Sequence, residues 1–222
     1  MTVLAVAHRA GNDLTALHAA VALGADVLEA DVHRYRGRLE MRHSKALGPL
    51  PWLWDAGELT STAVPQLLLA EMMAAHGGRS TLMLDLKGPG SVGRHVAEAI
   101  HDQAIHVGGP DAPVLVCSRW WPGVDAFGGR RWARPVLSAR NQVELLRLRR
   151  RIRGARAPYG VSVHRSLLTR DVVAALHEKV ELVMTWPVND VETLDEVLAL
   201  GVTGVISDES EILRAVLALP RG

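Results

Sequence analysis

Short apolar runs alternate with amphipathic segments along the whole chain. The apolar runs are almost continuous, which is typical of strands that are buried on both faces of a parallel sheet. The segments between them place apolar residues at helical spacing. We predict strands at 3–7, 27–32, 82–86, 114–117, 136–139, 160–163, 182–185 and 202–207, and helices at 14–23, 65–75, 92–105, just after 121–122, 142–152, 169–179, 191–200 and 209–217.

Polar, glycine and proline residues indicate where several of these elements begin and end. Asp13 is a candidate N-cap of the first helix, and Pro65 fits the first turn of the second. A turn at 36–37 predicts that 39–42 folds back along the second strand as a hairpin. The segment that follows, 44–64, is rich in Pro, Gly and Trp, and we predict a loop there.

The number and order of these elements predict the fold class. Eight strand-helix units within 222 residues favour an α/β fold, a TIM (β/α)8 barrel that forms one domain over residues 1–222. The 44–64 loop would then be a short cap between the second strand and the second helix. An open doubly wound sheet is the alternative, but it usually carries a glycine-rich phosphate loop after the first strand, and 8–11 is not one.

Composition excludes several classes of protein. The chain has 25 Lys and Arg against 24 Asp and Glu, so no overall positive field favours nucleic acid as a partner. Its one cysteine, Cys117, excludes an intrachain disulfide and a multi-cysteine metal site, and we expect a buried structural thiol. No apolar run approaches the ~20 residues that span a bilayer. We therefore expect a cytoplasmic protein without stable membrane insertion.

Two carboxylates interrupt the second apolar run. Glu29 and Asp31 are two residues apart, so in a strand they point to the same face, roughly 6 to 7 Å from each other. Two ionised carboxylates at that distance repel each other, and a cation between them relieves the repulsion. A solvated edge strand with two outward acids is the alternative interpretation of this pair.

Other polar residues are predicted to reach the same place. Catalytic residues of such barrels lie at the C-terminal ends of the strands. The first three units and the hairpin bring His8, Arg9, Glu29, Asp31, His43, Asp85 and Lys87 to that mouth. A structural ion network is the simplest alternative for a set of charges at a barrel mouth.

These residue types together indicate metal-assisted cleavage of a phosphodiester. Three acids can hold a hard divalent cation through oxygen. Arg9 and Lys87 supply positive charge for a phosphate. His8 and His43 suit two proton transfers, one at the nucleophile and one at the leaving alcohol.

Several motifs resemble those of a known family. They are Ala7-His8-Arg9, the 24–32 segment Gly-Ala-Asp-Val-Leu-Glu-Ala-Asp-Val, His43, Leu84-Asp85-Leu86-Lys87, Thr185-Trp186-Pro187-Val188-Asn189-Asp190 and the 201–208 segment Gly-Val-Thr-Gly-Val-Ile-Ser-Asp. In this order and spacing they resemble the glycerophosphodiester phosphodiesterase family over nearly the whole chain. The resemblance implies a barrel hydrolase that uses Mg²⁺ or Ca²⁺ to release an alcohol and sn-glycerol 3-phosphate.

The resemblance also implies a role for each matched residue. It makes Glu29, Asp31 and Asp85 the metal ligands, His8 and His43 the acid/base pair, Arg9 and Lys87 phosphate contacts, and Trp186 the aromatic residue that lines the pocket. The expected partner is a small phosphodiester substrate.

The chain departs from the family pattern at several positions. Gly11 stands where the family has Glu, Asp85 where Glu is usual, and Ser44 replaces the Asp after the second histidine. The insertion after the second strand is reduced to 44–64. Two rival functions follow: a phospholipase D-like lyase that forms a cyclic phosphate from lysophospholipids, and a phosphate-binding relative that has lost catalysis.

Three further features are open to two interpretations each. The arginine run over 147–156 is expected to be a solvated face, with weak docking to anionic lipid headgroups as the alternative. Trp52 and Trp54 either contact a hydrophobic alcohol group or pack the cap down. His33 is expected by alternation to face away from the carboxylates, with a role in supporting the site as the alternative.

Overall fold

The structure is a computed structural model that describes residues 2–78, 80–88, 91–107, 113–154 and 157–221. The strands are β1 Leu4–Ala7, β2 Val27–Tyr35, β3 Arg38–Met41, β4 Lys45–Ala46, β5 Trp52–Asp55, β6 Glu58–Ser61, β7 Leu67–Leu68, β8 Thr81–Lys87, β9 Val114–Ser118, β10 Ala133–Ala139, β11 Gly160–His164, β12 Leu182–Trp186 and β13 Gly204–Ser207. The helices are α1 Leu14–Leu23, α2 Leu69–His76, α3 Ser91–Val107, α4 Trp121–Asp125, α5 Gln142–Arg151, α6 Arg170–His177, α7 Val191–Leu200 and α8 Ser210–Leu217.

Eight parallel strands of the described chain close into a barrel. The order around it is β1, β2, β8, β9, β10, β11, β12 and β13, and β1 pairs with both β2 and β13. Val6 lies opposite Val27 on one side of β1, and Leu4 lies opposite Gly204 on the other. The predicted TIM barrel is therefore confirmed, and the open doubly wound alternative is wrong, because the strand order closes on itself.

Apolar residues pack on both faces of the barrel strands. Val27 and Met83 belong to a cluster inside the barrel, whereas Leu28 and Leu84 belong to the larger cluster between the strands and the helices. Neighbours along a strand point to opposite faces, so a barrel strand covered by helices needs an apolar residue at nearly every position. Cys117 is buried in the inner cluster, as expected for a structural thiol, and burial raises its pKa well above the usual value.

The region after β2 contains more structure than the sequence predicted. β2 continues to Tyr35 and forms the predicted hairpin with β3. The 44–64 segment is not a loop: β4, β5 and β6 form a separate antiparallel sheet, which we call the cap sheet. Its strands are two to four residues long and lie between Pro and Gly residues, so they leave no clear periodic pattern in the sequence.

The second helix begins later than predicted. Pro65 is not in its first turn, because Leu67 and Leu68 pair with β3 and the helix starts only at Leu69. The predicted cap of the first helix is confirmed: the Asp13 side chain accepts hydrogen bonds from the backbone N–H groups of two residues in its first turn. None of the helices in the described ranges is both long and apolar enough to cross a bilayer.

Candidate active site

A cavity of about 670 Å³ opens at the C-terminal ends of the barrel strands. Seven of the eight predicted site residues line it, namely His8, Arg9, Glu29, His43, Asp85, Lys87 and Trp186. The eighth, Asp31, is fully buried directly beside this cavity and contacts Lys87. The structure thus brings the whole predicted set together at one mouth.

Three carboxylates converge at the base of the cavity. One oxygen each of Glu29, Asp31 and Asp85 lies within 4.8 Å of the others, a spacing that could hold a metal ion. The register explains this, because Asp31 lies opposite Asp85 in neighbouring parallel strands and Glu29 precedes Asp31 on the same face. Glu29 is only 3% exposed and Asp31 is not exposed at all, so the alternative of outward, solvated acids is wrong.

One ammonium group partly compensates these three acids. Lys87 Nζ lies 2.7 Å from Asp31 Oδ1 and also contacts Asp85 Oδ2. Burial raises the pKa of Glu29 to about 8, and the nearby Asp31 adds to the increase. Burial also raises the pKa of Asp85. At Asp31 burial works in the same direction, but the attraction of Lys87 and the hydrogen bonds from Lys87 and Asn12 together outweigh it and lower the pKa. Three clustered acids, two of them buried, with one lysine have the charge and oxygen donors that suit a hard divalent cation.

The segment after β1 holds two of these carboxylates in place. Asn12 Nδ2 donates to Asp31 Oδ2 at 2.7 Å, and the Asp31 backbone N–H donates back to Asn12 Oδ1 at 2.7 Å. The Arg9 backbone N–H donates to Glu29 Oε2 at 2.6 Å. Sequence reasoning missed Asn12, because an amide after a strand end does not reveal which side chain it contacts.

His8 is oriented by a carboxylate from the last barrel unit. His8 Nδ1 lies 2.7 Å from Asp208 Oδ1, and Asn189 Nδ2 donates to Asp208 Oδ2 at 3.2 Å. An ionised carboxylate only accepts, so Nδ1 carries the proton and Nε2 faces Glu29 Oε2, 3.9 Å away. Burial works to lower the pKa of His8, but the hydrogen bond to Asp208 and the charge of Glu29 outweigh it and raise the pKa.

His43 is oriented by a carboxylate from the cap sheet. Its Nδ1 lies 2.7 Å from Asp55 Oδ1, at the end of β5. Sequence reasoning missed both orienting acids. Asp208 directly follows the last strand, so the strand-end rule that selected the other residues also selects it. Asp55 lay inside the segment interpreted as a loop, and no pattern in the sequence connects it to His43.

The prediction that His33 faces away from the carboxylates is wrong. Residues 29, 31 and 33 of a strand share one face, and the side chain of His33 lines the cavity. Burial, with a contribution from Arg42, lowers the pKa of His33 to about 4, so the ring is neutral near pH 7. Its buried Nε2 has no hydrogen-bond partner within the described chain.

Arg9 and Trp186 contribute two different surfaces to the cavity. The buried Nε of Arg9 has no hydrogen-bond partner among the described residues, so this donor is available to an anion in the cavity. The Trp186 ring packs edge-to-face against His164, with the ring centroids 5.0 Å apart, and forms part of the cavity wall.

No protein-family model matches the chain, and no curated protein matches it either. Solved structures do match. A phosphodiesterase from Oleispira antarctica, in complex with the product sn-glycerol-3-phosphate, has a TM-score of 0.74 and 16% identity, over 99% of this chain and 97% of that one. The glycerophosphodiester phosphodiesterase of Thermotoga maritima has a TM-score of 0.73 and 18% identity, over 97% and 99%. The glycerophosphodiester phosphodiesterase of Agrobacterium tumefaciens has a TM-score of 0.67 and 16% identity, over 97% of this chain and 100% of that one.

The chain has the fold of the glycerophosphodiester phosphodiesterases. The resemblance seen in the sequence is thereby confirmed at the level of the fold. The structure shows what surrounds two positions at which the chain departs from the pattern of the glycerophosphodiester phosphodiesterases. Ser44 provides no carboxylate after the second histidine, and Asp55 contacts His43 instead. At position 11, a Cβ atom on Gly11 would lie 2.5 Å from the Cβ of Ala30, so this backbone leaves no room for a Glu.

Proposed function

We propose that the protein is a metal-dependent phosphodiester hydrolase that cleaves glycerophosphodiesters into an alcohol and sn-glycerol 3-phosphate. The observation that carries this proposal is the arrangement at the cavity base: three clustered carboxylates, with His8 and His43 beside the same cavity and a carboxylate on Nδ1 of each. The shared fold, and the product bound to the Oleispira antarctica phosphodiesterase, support the choice of substrate class.

Glu29, Asp31 and Asp85 would hold the ion. Their all-oxygen donor set favours Mg²⁺ or Ca²⁺ over softer metals. When bound, the cation polarises the phosphoryl group and lowers the energy of the charge that develops on it. The unpartnered guanidinium Nε of Arg9 offers a further hydrogen bond to a phosphate oxygen, and Lys87 adds positive charge at the same wall.

The two histidines would move the protons. One imidazole Nε2 takes the proton of the attacking water as its oxygen forms the new bond to phosphorus. The other donates a proton to the alcohol oxygen as the phosphorus–oxygen bond to the alcohol breaks, so that neither a hydroxide nor an alkoxide is released. Asp208 and Asp55 keep each ring in the orientation and tautomer that these transfers require.

The test is turnover of glycerophosphocholine followed by phosphorus NMR. We expect sn-glycerol 3-phosphate to form and the rate to be lost with EDTA. We also expect His8→Ala to lower kcat by at least about 10²-fold. His18→Ala, which removes an exposed histidine from α1, is the matched control and should leave the rate unchanged. Cleavage that survives both EDTA and His8→Ala contradicts the proposal, and a cyclic phosphate product identifies the lyase instead.

A further inference from the structure

One face of the cap sheet exposes large apolar side chains. Trp52 and Trp54 of β5 are 44% and 42% exposed, while Leu53 between them is 2% exposed and packs inward. Leu59 lies opposite Trp54 in β6 and is 59% exposed. Residues on alternate positions of a strand share a face, so the two tryptophans and Leu59 form one outward surface, which we call the apolar cap face.

The apolar cap face is continuous with the rim of the active-site cavity. Lys45, the strand partner of Trp54, lines the cavity. Asp55, the residue after Trp54, contacts His43 within the site. Trp120, in the connection after β9, is 56% exposed and lines the same cavity. Trp120 therefore adds an exposed aromatic side chain to the lining of the cavity, and Lys45 and Asp55 connect the cap sheet to it.

Positive charge surrounds the same entrance. Four exposed cations line the cavity, namely Arg34, Lys45, Arg119 and Arg140, and of these Arg119 is paired with Glu144. The acids that line it are Glu29, which is buried, and Asp85, which is partly buried. Asp55 and Asp208 are more exposed, but each is bonded to a histidine of the site. Tryptophan next to Lys and Arg is the combination that places a surface at a lipid headgroup layer, because the rings occupy the interface and the cations attract anionic lipid.

The cap sheet is small for a protein partner. Its strands have two, four and four residues, and only alternate positions face outward. A stable protein interface usually takes about 20–30 residues from each side. A lipid surface needs no such matching area, since insertion of a few aromatic side chains and general electrostatic attraction are sufficient for reversible binding.

We propose that the apolar cap face and the cationic rim dock the enzyme on an anionic phospholipid surface, from which it takes lysophospholipids as substrates. This inference rests on the proposed function and extends its substrates to lysophospholipids, from which the same cleavage would release the headgroup alcohol and an acylated sn-glycerol 3-phosphate. The glycerophosphodiester headgroup of a lysophospholipid would enter the cavity, while its acyl chain stays beside the exposed tryptophans. A cap of this size leaves the entrance open to a membrane-borne molecule.

Sedimentation with vesicles tests the docking without any need for turnover. We expect binding to vesicles of phosphatidylcholine and phosphatidylglycerol in equal parts, weaker binding to phosphatidylcholine alone, and a decrease as salt concentration rises. Trp52→Ser with Leu59→Ser should lower the bound fraction at least about fivefold. Val143→Ser with Leu146→Ser is the matched control, because both residues are more than half exposed on α5, beside the arginine run.

Activity separates this inference from the proposed function. Trp52→Ser with Leu59→Ser should slow the cleavage of lysophosphatidylglycerol in these vesicles and leave that of soluble glycerophosphocholine unchanged. If glycerophosphocholine is cleaved but no vesicles are bound, the docking is wrong and the proposed function stands. If vesicles are bound but no diester is cleaved, the proposed function fails. Equal loss of binding in the α5 control, or a dimer that only the cap-face variant abolishes, also overturns the docking.

Discussion

His43 Nδ1 and Asp55 Oδ1 lie 2.7 Å apart, although Asp55 belongs to the cap sheet and not to the barrel. The cap thus contributes a side chain to the candidate active site, and Lys45 of the same sheet lines its cavity. Asp208, near the C-terminal end of the chain, contacts Nδ1 of His8, and this distance is also 2.7 Å. Each candidate acid/base residue therefore has its own positioning carboxylate.

Replacement of Asp55 tests whether the cap takes part in catalysis. Asp55→Asn keeps the shape but lets Nδ1 of His43 lose its proton, so the wrong tautomer becomes populated. We expect kcat for glycerophosphocholine to fall about 10- to 100-fold with little change in KM. The double variant with His43→Ala should be no slower than His43→Ala alone, because Asp55 acts through that ring.

Glu58→Gln provides the matched control for this prediction. Glu58 is an exposed acid of the same cap sheet, three residues from Asp55. We expect the Glu58→Gln variant to keep full activity on glycerophosphocholine. Equal losses in the two variants would show that the charge of the cap, and not the contact with His43, is what matters.

Lys87 should be essential for stability when no divalent cation is bound. Its ammonium group contacts Asp31 and Asp85, so Lys87→Met leaves buried carboxylates without a counter-charge. We expect the free energy of unfolding in EDTA to fall by about 3–5 kcal/mol. Mg²⁺ or Ca²⁺ should recover much of this loss, since binding to the folded state alone stabilises it.

Urea denaturation with and without the cation measures both effects. Lys179→Met removes an exposed lysine beyond α6 and should have little effect under either condition. A Lys87→Met protein that is as stable as the wild type in EDTA would contradict the prediction. Unchanged stability would mean that the carboxylates need no counter-charge from Lys87, either because they take up protons or because water reaches them.

The barrel and the centre of the site were predictable because both depend on local patterns. Continuous apolar runs identify strands buried on two faces, and the spacing of Glu29 and Asp31 places both carboxylates on one face of β2. The C-terminal end of a strand then places His8 and Asp85 at the same mouth as this pair. These conclusions need only the period of a strand and the polarity of a parallel barrel.

The remainder of the site depends on contacts that no local pattern specifies. The cap strands are too short for a periodic signal, so the approach of Asp55 to His43 could not be foreseen. The hydrogen bonds of Asn12 depend on how the turn after β1 packs against β2. His33 differs from these residues, because the alternation of β2 itself places it on the same face as Asp31, so its position is predictable from the sequence.

Glu144 should stabilise the fold in a pH-dependent way. It accepts hydrogen bonds from Arg119 Nη2 at 2.5 Å and from the Arg140 backbone N–H at 2.6 Å. Burial works to raise its pKa, but these bonds outweigh it and lower the pKa. A carboxyl with a lowered folded-state pKa stabilises the fold above its unfolded-state pKa, and this contribution is lost as the pH falls through the folded value.

We therefore expect Glu144→Gln to lower the free energy of unfolding by about 1 kcal/mol at pH 7. The difference from the wild type should shrink as the pH falls below about 4. Urea denaturation across this range measures it, with Glu192→Gln in the first turn of α7 as control. A difference that persists at low pH would indicate lost packing and not lost charge.

Gly11 should set how closely the turn after β1 approaches the carboxylates. A Cβ atom at position 11 would lie 2.5 Å from the Cβ of Ala30, the residue between Glu29 and Asp31. Gly11→Ala must therefore move the turn away from β2, and Asn12, which holds Asp31, moves with it. We expect a loss of about 1–3 kcal/mol in stability, and weaker binding of Mg²⁺ or Ca²⁺ by calorimetry.

A second substitution separates this close contact from other effects of an added methyl group. Ala30→Gly removes the atom that the new Cβ would meet, so Gly11→Ala with Ala30→Gly should regain most of the metal affinity. The glycine in β2 should still cost about 0.5–1 kcal/mol of stability. If Gly11→Ala alone binds the cation as tightly as the wild type, the position of the turn does not control the site. If the double variant fails to recover, the contact with Ala30 is not the reason for the glycine.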